Sequence, residues 1–217
     1  MKIAGLLSQH AERTPDKAAV IYGDDVLSFG ALDRQSNCMA NALLAKGLRQ
    51  GDRVILYVGN SLELVVAVAA LWKAGALPIP ITTWTVGREL AFLVSDSKPF
   101  AVLYGPEQIA EVQAAELPAD VLHIMTTPSE HALDLKALIA AGDDAPPPTL
   151  PPQPDDAMIG YTSGTTGKPK GSIMTHANLI TAQLLVSTFC QQSDDDIFMI
   201  MTPIAHRVGM ARLVTCF

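Results

Sequence analysis

The chain has 217 residues, enough to bury a good core as one domain or two small ones, and 49% of them are hydrophobic. Its net charge is −7 with no cluster of lysine or arginine, which speaks against a nucleic-acid partner. Three widely spaced cysteines, Cys38, Cys190 and Cys216, form neither a disulfide framework nor a CxxC pair, and suit a reducing cytoplasm.

The opening Met1 to Leu7 is too short and too soon polar for a signal peptide. Leu6 to Arg13 reads as a helix. Ala18 to Tyr22 and Val26 to Phe29 read as strands joined by the turn Gly23-Asp24-Asp25. Ala31 to Ala45 carries Leu32, Met39, Leu43 and Leu44 at helical spacing, and Gly47 closes that helix. Val54 to Val58 is an unbroken apolar run, the mark of a strand covered on both faces.

Leu62 to Ile81 is the most apolar stretch. Glu63, Lys73, Gly75, Pro78 and Pro80 punctuate it, so it is expected to be a buried helix, capped by Ser61 and ended by Gly75, then a strand from Leu77. No membrane span is expected. Helices over Arg88–Ser95, Glu107–Ala115 and Asp134–Ala141 alternate with strands over Ala101–Tyr104 and Val121–Met125. Such alternation predicts an α/β fold with a mainly parallel sheet and helices on both faces.

Residues 143–156 hold six prolines between Pro146 and Pro154 and read as an extended connector. It separates a first α/β subdomain, 1–142, from a segment over 157–217. That segment is expected to run strand, loop, return strand, a helix from His176 to about Gln191 capped by Thr175, and a strand over Ile197–Thr202. Ala211 to Phe217 is apolar and reads as a helix entering a core, a surface that an isolated module would leave open.

The loop of that segment is the most informative feature. Tyr161-Thr162-Ser163-Gly164-Thr165-Thr166-Gly167-Lys168-Pro169-Lys170-Gly171 packs four Ser/Thr hydroxyls, three glycines and two lysines into eleven residues. Glycines let successive amides turn inward into an anion-binding nest, and the lysines add charge. A plain Ser/Thr/Gly connector is the competing reading. The loop is not a P-loop of the Walker type: Thr162 stands where that motif needs its first glycine, and Pro169 follows Gly167-Lys168.

This loop resembles the signature of the adenylate-forming superfamily, which includes acyl- and aryl-CoA synthetases, luciferases and the adenylation domains of peptide synthetases. Three further segments match in order: Leu27 to Leu32 with an early "LTYxEL" element, Leu71 to Pro80 with "LKAGAxxxP", and Pro203-Ile204-Ala205-His206 with "PxxH". The resemblance runs from about Leu6 to the end of the chain. It implies an acyl-CoA synthetase-like fold, of which 1–217 would be the first part of the large N-terminal domain. A full-length member is more than twice this long. The missing remainder would carry the adenine and ribose contacts, the acidic magnesium residue and the mobile C-terminal domain with its catalytic lysine.

The resemblance also implies chemistry. ATP, Mg2+, a small-molecule carboxylic acid and coenzyme A would be the reactants, through an acyl-adenylate. Thr162, Ser163, Thr165 and Thr166 would donate to the β- and γ-phosphates, Gly164 and Gly167 would allow close approach, and Lys168 and Lys170 would supply charge. His206 would lie between the acid and the nucleotide; a histidine satisfied by a backbone carbonyl is the alternative. His176 reads as structural.

Asp194-Asp195-Asp196 reads as a solvated turn, so no residue is assigned as a metal ligand. Trp72 reads as core; Trp84 has no account. Cys190 and Cys216 read as inert. Amino-acid-activating members carry a carboxylate near PxxH, and Ile204 to Gly209 has none, which favours a plain acid and a CoA acceptor. The isolated chain is expected to be inactive. The alternative is a non-catalytic module that binds a nucleotide, a phosphate or a protein.

Overall fold

The computed structural model describes residues 2–148, 155–162 and 169–217. Helix α1 (Ile3–Arg13) precedes an antiparallel pair, β1 (Ala18–Tyr22) and β2 (Asp25–Ser28). Then come α2 (Phe29–Ala45), β3 (Arg53–Tyr57), α3 (Leu62–Lys73), β4 (Leu77–Pro80), α4 (Gly87–Ser97) and β5 (Ala101–Tyr104). A 3-10 turn over Pro106–Gln108 leads into α5 (Ile109–Ala114), followed by β6 (Leu122–Met125), β7 (Leu133–Asp134) and α6 (Leu135–Ala141). A hairpin, β8 (Asp156–Thr162) and β9 (Lys170–Thr175), then α7 (His176–Phe189) and α8 (Arg207–Thr215) complete the chain.

The central sheet has the order β4-β3-β5-β6-β7, and every pairing in it is parallel. Successive side chains of a strand point to opposite faces. Accordingly Val54, Leu56, Ala101 and Leu103 enter one core with α1, α2 and α3, while Ile55, Tyr57, Val102 and Tyr104 enter a second with α4 and α5. This is the expected α/β architecture with both faces covered, and it explains why β3 has no polar alternation.

The start signals act as read. Ser61 Oγ accepts from the Leu64 amide at 3.2 Å, and Thr175 Oγ1 from Asn178 at 3.0 Å. Gly75, which ends the buried α3, has φ +69, a conformation that suits glycine. Trp72 is core, 3% exposed, whereas Trp84 is 88% exposed.

The edge of the sheet shows how two prolines decide topology. Leu77 and Ile81 donate inward to the carbonyls of Asp52 and Leu56, so the amides of residues 78 and 80 would face the free edge. Both are prolines and have none to offer. Strand β8 therefore lies against β4 without joining its ladder, and pairs with β9 instead.

A largely buried ion pair ties the helical layer together. Lys73 Nζ lies 2.6 Å from Asp33 Oδ1 and 2.6 Å from Asn37 Oδ1, bridging α3 to α2. Burial lowers the pKa of Lys73, and the Asp33 carboxylate opposes that shift.

One expectation fails. Ile197–Thr202 enters no ladder, although exposure alternates along it, with Ile197, Met199 and Met201 outward. A strand is a paired structure, and no neighbour among the described residues offers a partner. The apolar end does enter a core as a helix, as read, and is not left open. Leu213, Val214 and Phe217 are buried, and the Phe217 ring meets Trp72 edge-on with centroids 6.3 Å apart.

Candidate functional site

The stem of the signature loop is a short antiparallel ladder. Tyr161 pairs with Gly171 and Thr162 with Lys170, so the two ends of the loop leave the hairpin side by side. The Thr162 and Lys170 side chains are both exposed at this mouth. Ser163, Gly164, Thr165, Thr166, Gly167 and Lys168 lie outside the described residues.

Four hydrogen bonds fix the stem. At its base the Trp72 indole donates to the Ala157 carbonyl at 2.8 Å. The Asp155 carbonyl accepts from the His176 amide at 2.8 Å, and Asp155 Oδ2 accepts from the Ala177 amide at 2.7 Å, which sets the start of α7. Near the mouth the Tyr161 phenol donates to Asp96 Oδ2 at 2.6 Å, at the end of α4. Residues around this last contact, among them Arg53, Ser97 and Gly171, line a cleft of about 390 Å³.

His176 is structural, as expected. It is buried, its Nδ1 accepts from the Ile3 amide at 3.3 Å, and its ring meets Trp72 edge-on. Burial, with help from nearby Lys2, lowers its pKa to about 4. The neutral ring is the form that can accept the Ile3 bond.

His206 stands elsewhere in character. It is exposed, at the N-cap of α8, and its side chain makes no capping bond. Its amide donates to Pro203 O at 2.9 Å and its carbonyl accepts from Met210 at 3.0 Å. Asn60 brackets the turn that presents it: Asn60 Nδ2 donates to Thr202 O at 3.2 Å, and Asn60 Oδ1 accepts from Ile204 at 2.8 Å. Gly209 packs so closely beneath that a Cβ there would lie 2.2 Å from the Pro203 carbonyl oxygen.

Asn60 also lines a crevice of about 700 Å³ with Ser61, Thr83, Glu107 and Lys136. The crevice lies outside the carboxyl ends of β3 and β5, where the strand order reverses. That is the usual ligand position in an open α/β sheet. Sequence reasoning missed Asn60, Asp96 and the crevice, because each depends on contacts between distant segments.

The remaining candidates are quiet. Asp196 Oδ2 closes a turn by accepting from the Ser193 amide at 2.7 Å. Burial raises the thiol pKa of Cys38, helped by Asp144 and Asp143, and that of Cys216. Among the described residues no helix is long and apolar enough to cross a membrane.

The chain belongs to the AMP-binding enzyme family, whose model matches residues 7–217. Tyrocidine synthase 3 of Brevibacillus parabrevis is 35% identical over 176 residues, covering 81% of this chain and 2% of its own length. Crotonobetaine/carnitine–CoA ligase of Salmonella arizonae is 31% identical over an alignment of 229 residues, covering 95% of this chain and 44% of its own length. Among solved structures, MatB of Rhodopseudomonas palustris superposes with a TM-score of 0.83 at 29% identity, over 100% of this chain and 44% of its own. The anthranilate CoA ligase AuaEII, solved with anthranoyl-AMP, gives a TM-score of 0.91 at 22% identity, over 100% and 43%, and shows the same fold. The chain spans less than half the length of each of these proteins.

Proposed function

We propose that this chain is the ATP-phosphate-binding portion of an acid–CoA ligase. In that reading 1–142 is a first α/β subdomain, 143–156 its connector, and 157–217 the phosphate loop with the helices after it. One observation carries the proposal: the signature Tyr161–Gly171 spans a moored hairpin whose mouth presents Thr162 and Lys170 to solvent. Hydroxyl and ammonium donors held at a loop entrance fit a polyphosphate.

In the whole protein a substrate carboxylate oxygen would bond to the α-phosphorus of ATP. The bond to the β-phosphate would break, and pyrophosphate would leave with the electron pair. The acyl-adenylate would then pass its acyl group to the thiol of coenzyme A. Thr162, Ser163, Thr165 and Thr166 would donate to the departing phosphates, Gly164 and Gly167 would allow their close approach, and Lys168 and Lys170 would offset their charge. His206, exposed on its turn, orients the carboxylate. Magnesium would enter with the ATP phosphates and offset their charge.

The relatives include both peptide synthetases and CoA ligases. The absence of a carboxylate between Ile204 and Gly209 favours a plain acid over an amino acid. The chain by itself binds ATP weakly and turns nothing over. Isotope exchange between pyrophosphate and ATP tests this, using the 217-residue chain, magnesium and a panel of acids. Exchange at background is expected; acid-dependent exchange above background would show that the chain is a complete enzyme.

A further inference from the structure

The contact between Tyr161 and Asp96 has no counterpart in the phosphate-binding reading, on which this inference rests. Tyr161 is two residues before Ser163, and its phenol reaches out of the hairpin to the last turn of α4, donating to Asp96 Oδ2 at 2.6 Å. The two residues are 65 positions apart. The end of α4 is in turn held to the parallel sheet, because Arg53 Nε donates to the Ser97 carbonyl at 2.9 Å. A carboxylate in the last turn of a helix faces the negative end of its dipole, so a donor there is well placed.

A second observation concerns Gly171, directly across the ladder from Tyr161. A Cβ at 171 would come within 3.3 Å of Tyr161 Cζ, the carbon that bears the hydroxyl, and within 3.1 Å of Ile159 Cγ2. The phenol thus lies over the bare backbone of Gly171 on its way to Asp96. One side of the stem supplies the latch and the other leaves room for it. Burial and the Asp96 carboxylate both raise the phenol pKa, so the hydroxyl keeps its proton at any physiological pH.

We infer that Tyr161 and Asp96 form a positioning latch, which holds the hairpin stem at Tyr161, Thr162, Lys170 and Gly171 against the parallel-sheet unit and thereby raises the chain's affinity for polyphosphate.

The test is the affinity of the full 217-residue chain for inorganic tripolyphosphate, by titration calorimetry, alongside the thermal unfolding midpoint. Tyr161→Phe and Asp96→Ala each weaken binding about tenfold, and the double variant is no weaker than either single one. Asp96→Asn keeps a carbonyl oxygen to accept the phenol and stays within about threefold of wild type. Gly171→Ala, which crowds the phenol, falls with the first two.

Wild-type affinity in Tyr161→Phe and Asp96→Ala would overturn the latch. So would additive losses, a loss in Asp96→Asn equal to that in Asp96→Ala, or losses that only track a lower unfolding midpoint. If Tyr161→Phe does not fold, the two Asp96 variants decide. A wild-type chain that does not bind tripolyphosphate would overturn the phosphate-binding reading itself and the latch with it.

Discussion

The indole N–H of Trp72 donates to the carbonyl oxygen of Ala157 at 2.8 Å, joining the end of helix α3 to the base of the hairpin 85 residues later. Trp72 is 3% exposed and Ala157 fully buried, so no water can replace this donor. Both strands of the hairpin inherit their position from that bond and from the rings of His176 and Phe217 packed on the same indole. Trp72→Phe leaves a buried acceptor unpaired. We expect a loss of about 1–3 kcal/mol in stability from the bond, with a further cost for the lost ring volume, measured by urea unfolding.

Lys73 follows Trp72 and meets Asp33 at 2.6 Å, with side chains 5% and 19% exposed. Removing one member strands the other charge in a poor solvent. Lys73→Met should destabilise the chain by roughly 3 kcal/mol, and adding Asp33→Asn should return part of that loss. A fully additive pair of losses in the same unfolding assay would contradict the account.

The neutral state of His176 gives stability a pH dependence of defined sign. In the folded chain its pKa is lowered to about 4, and in the unfolded chain it returns to the ordinary value near 6.5. Between those values the unfolded chain binds a proton that the folded chain refuses, so stability falls as pH drops from 6.5 towards 4. His176→Gln keeps an acceptor for the Ile3 amide without titrating. It should remove up to about one proton from the slope of stability against pH over that range. Identical slopes for the two proteins would refute the assignment.

Much of this was legible from residue order alone. The unbroken run Val54 to Val58, the caps Ser61 and Thr175 and the terminator Gly75 are local signals, and local hydrogen bonds or φ angles realise them. Ile197–Thr202 carries the right period for a strand, yet pairing depends on a neighbour that periodicity cannot supply. The Tyr161 phenol, the Asn60 amide and the Trp72 indole gave no local sign of their partners. Each bonds a segment at least 65 residues away, which only the folded chain brings close.

The turn before His206 offers a test in which propensity and packing disagree. In an exposed helix, glycine to alanine gains up to about 1 kcal/mol. At Gly209 the new methyl would sit 2.2 Å from Pro203 O, so Gly209→Ala should lower the melting temperature instead. Asn60→Ala should also lower it, by removing both bonds that bracket the turn. A rise in melting temperature for Gly209→Ala would show that the turn is not packed as described.

The phosphate role of the signature loop is the central claim, and phosphorus NMR of ATP with magnesium reads it most directly. On adding the chain, the β- and γ-phosphorus resonances should shift and broaden more than the α-resonance. Lys170→Ala should weaken the effect by about tenfold in affinity. Resonances that do not respond, or a response that Lys170→Ala leaves unchanged, would contradict the account.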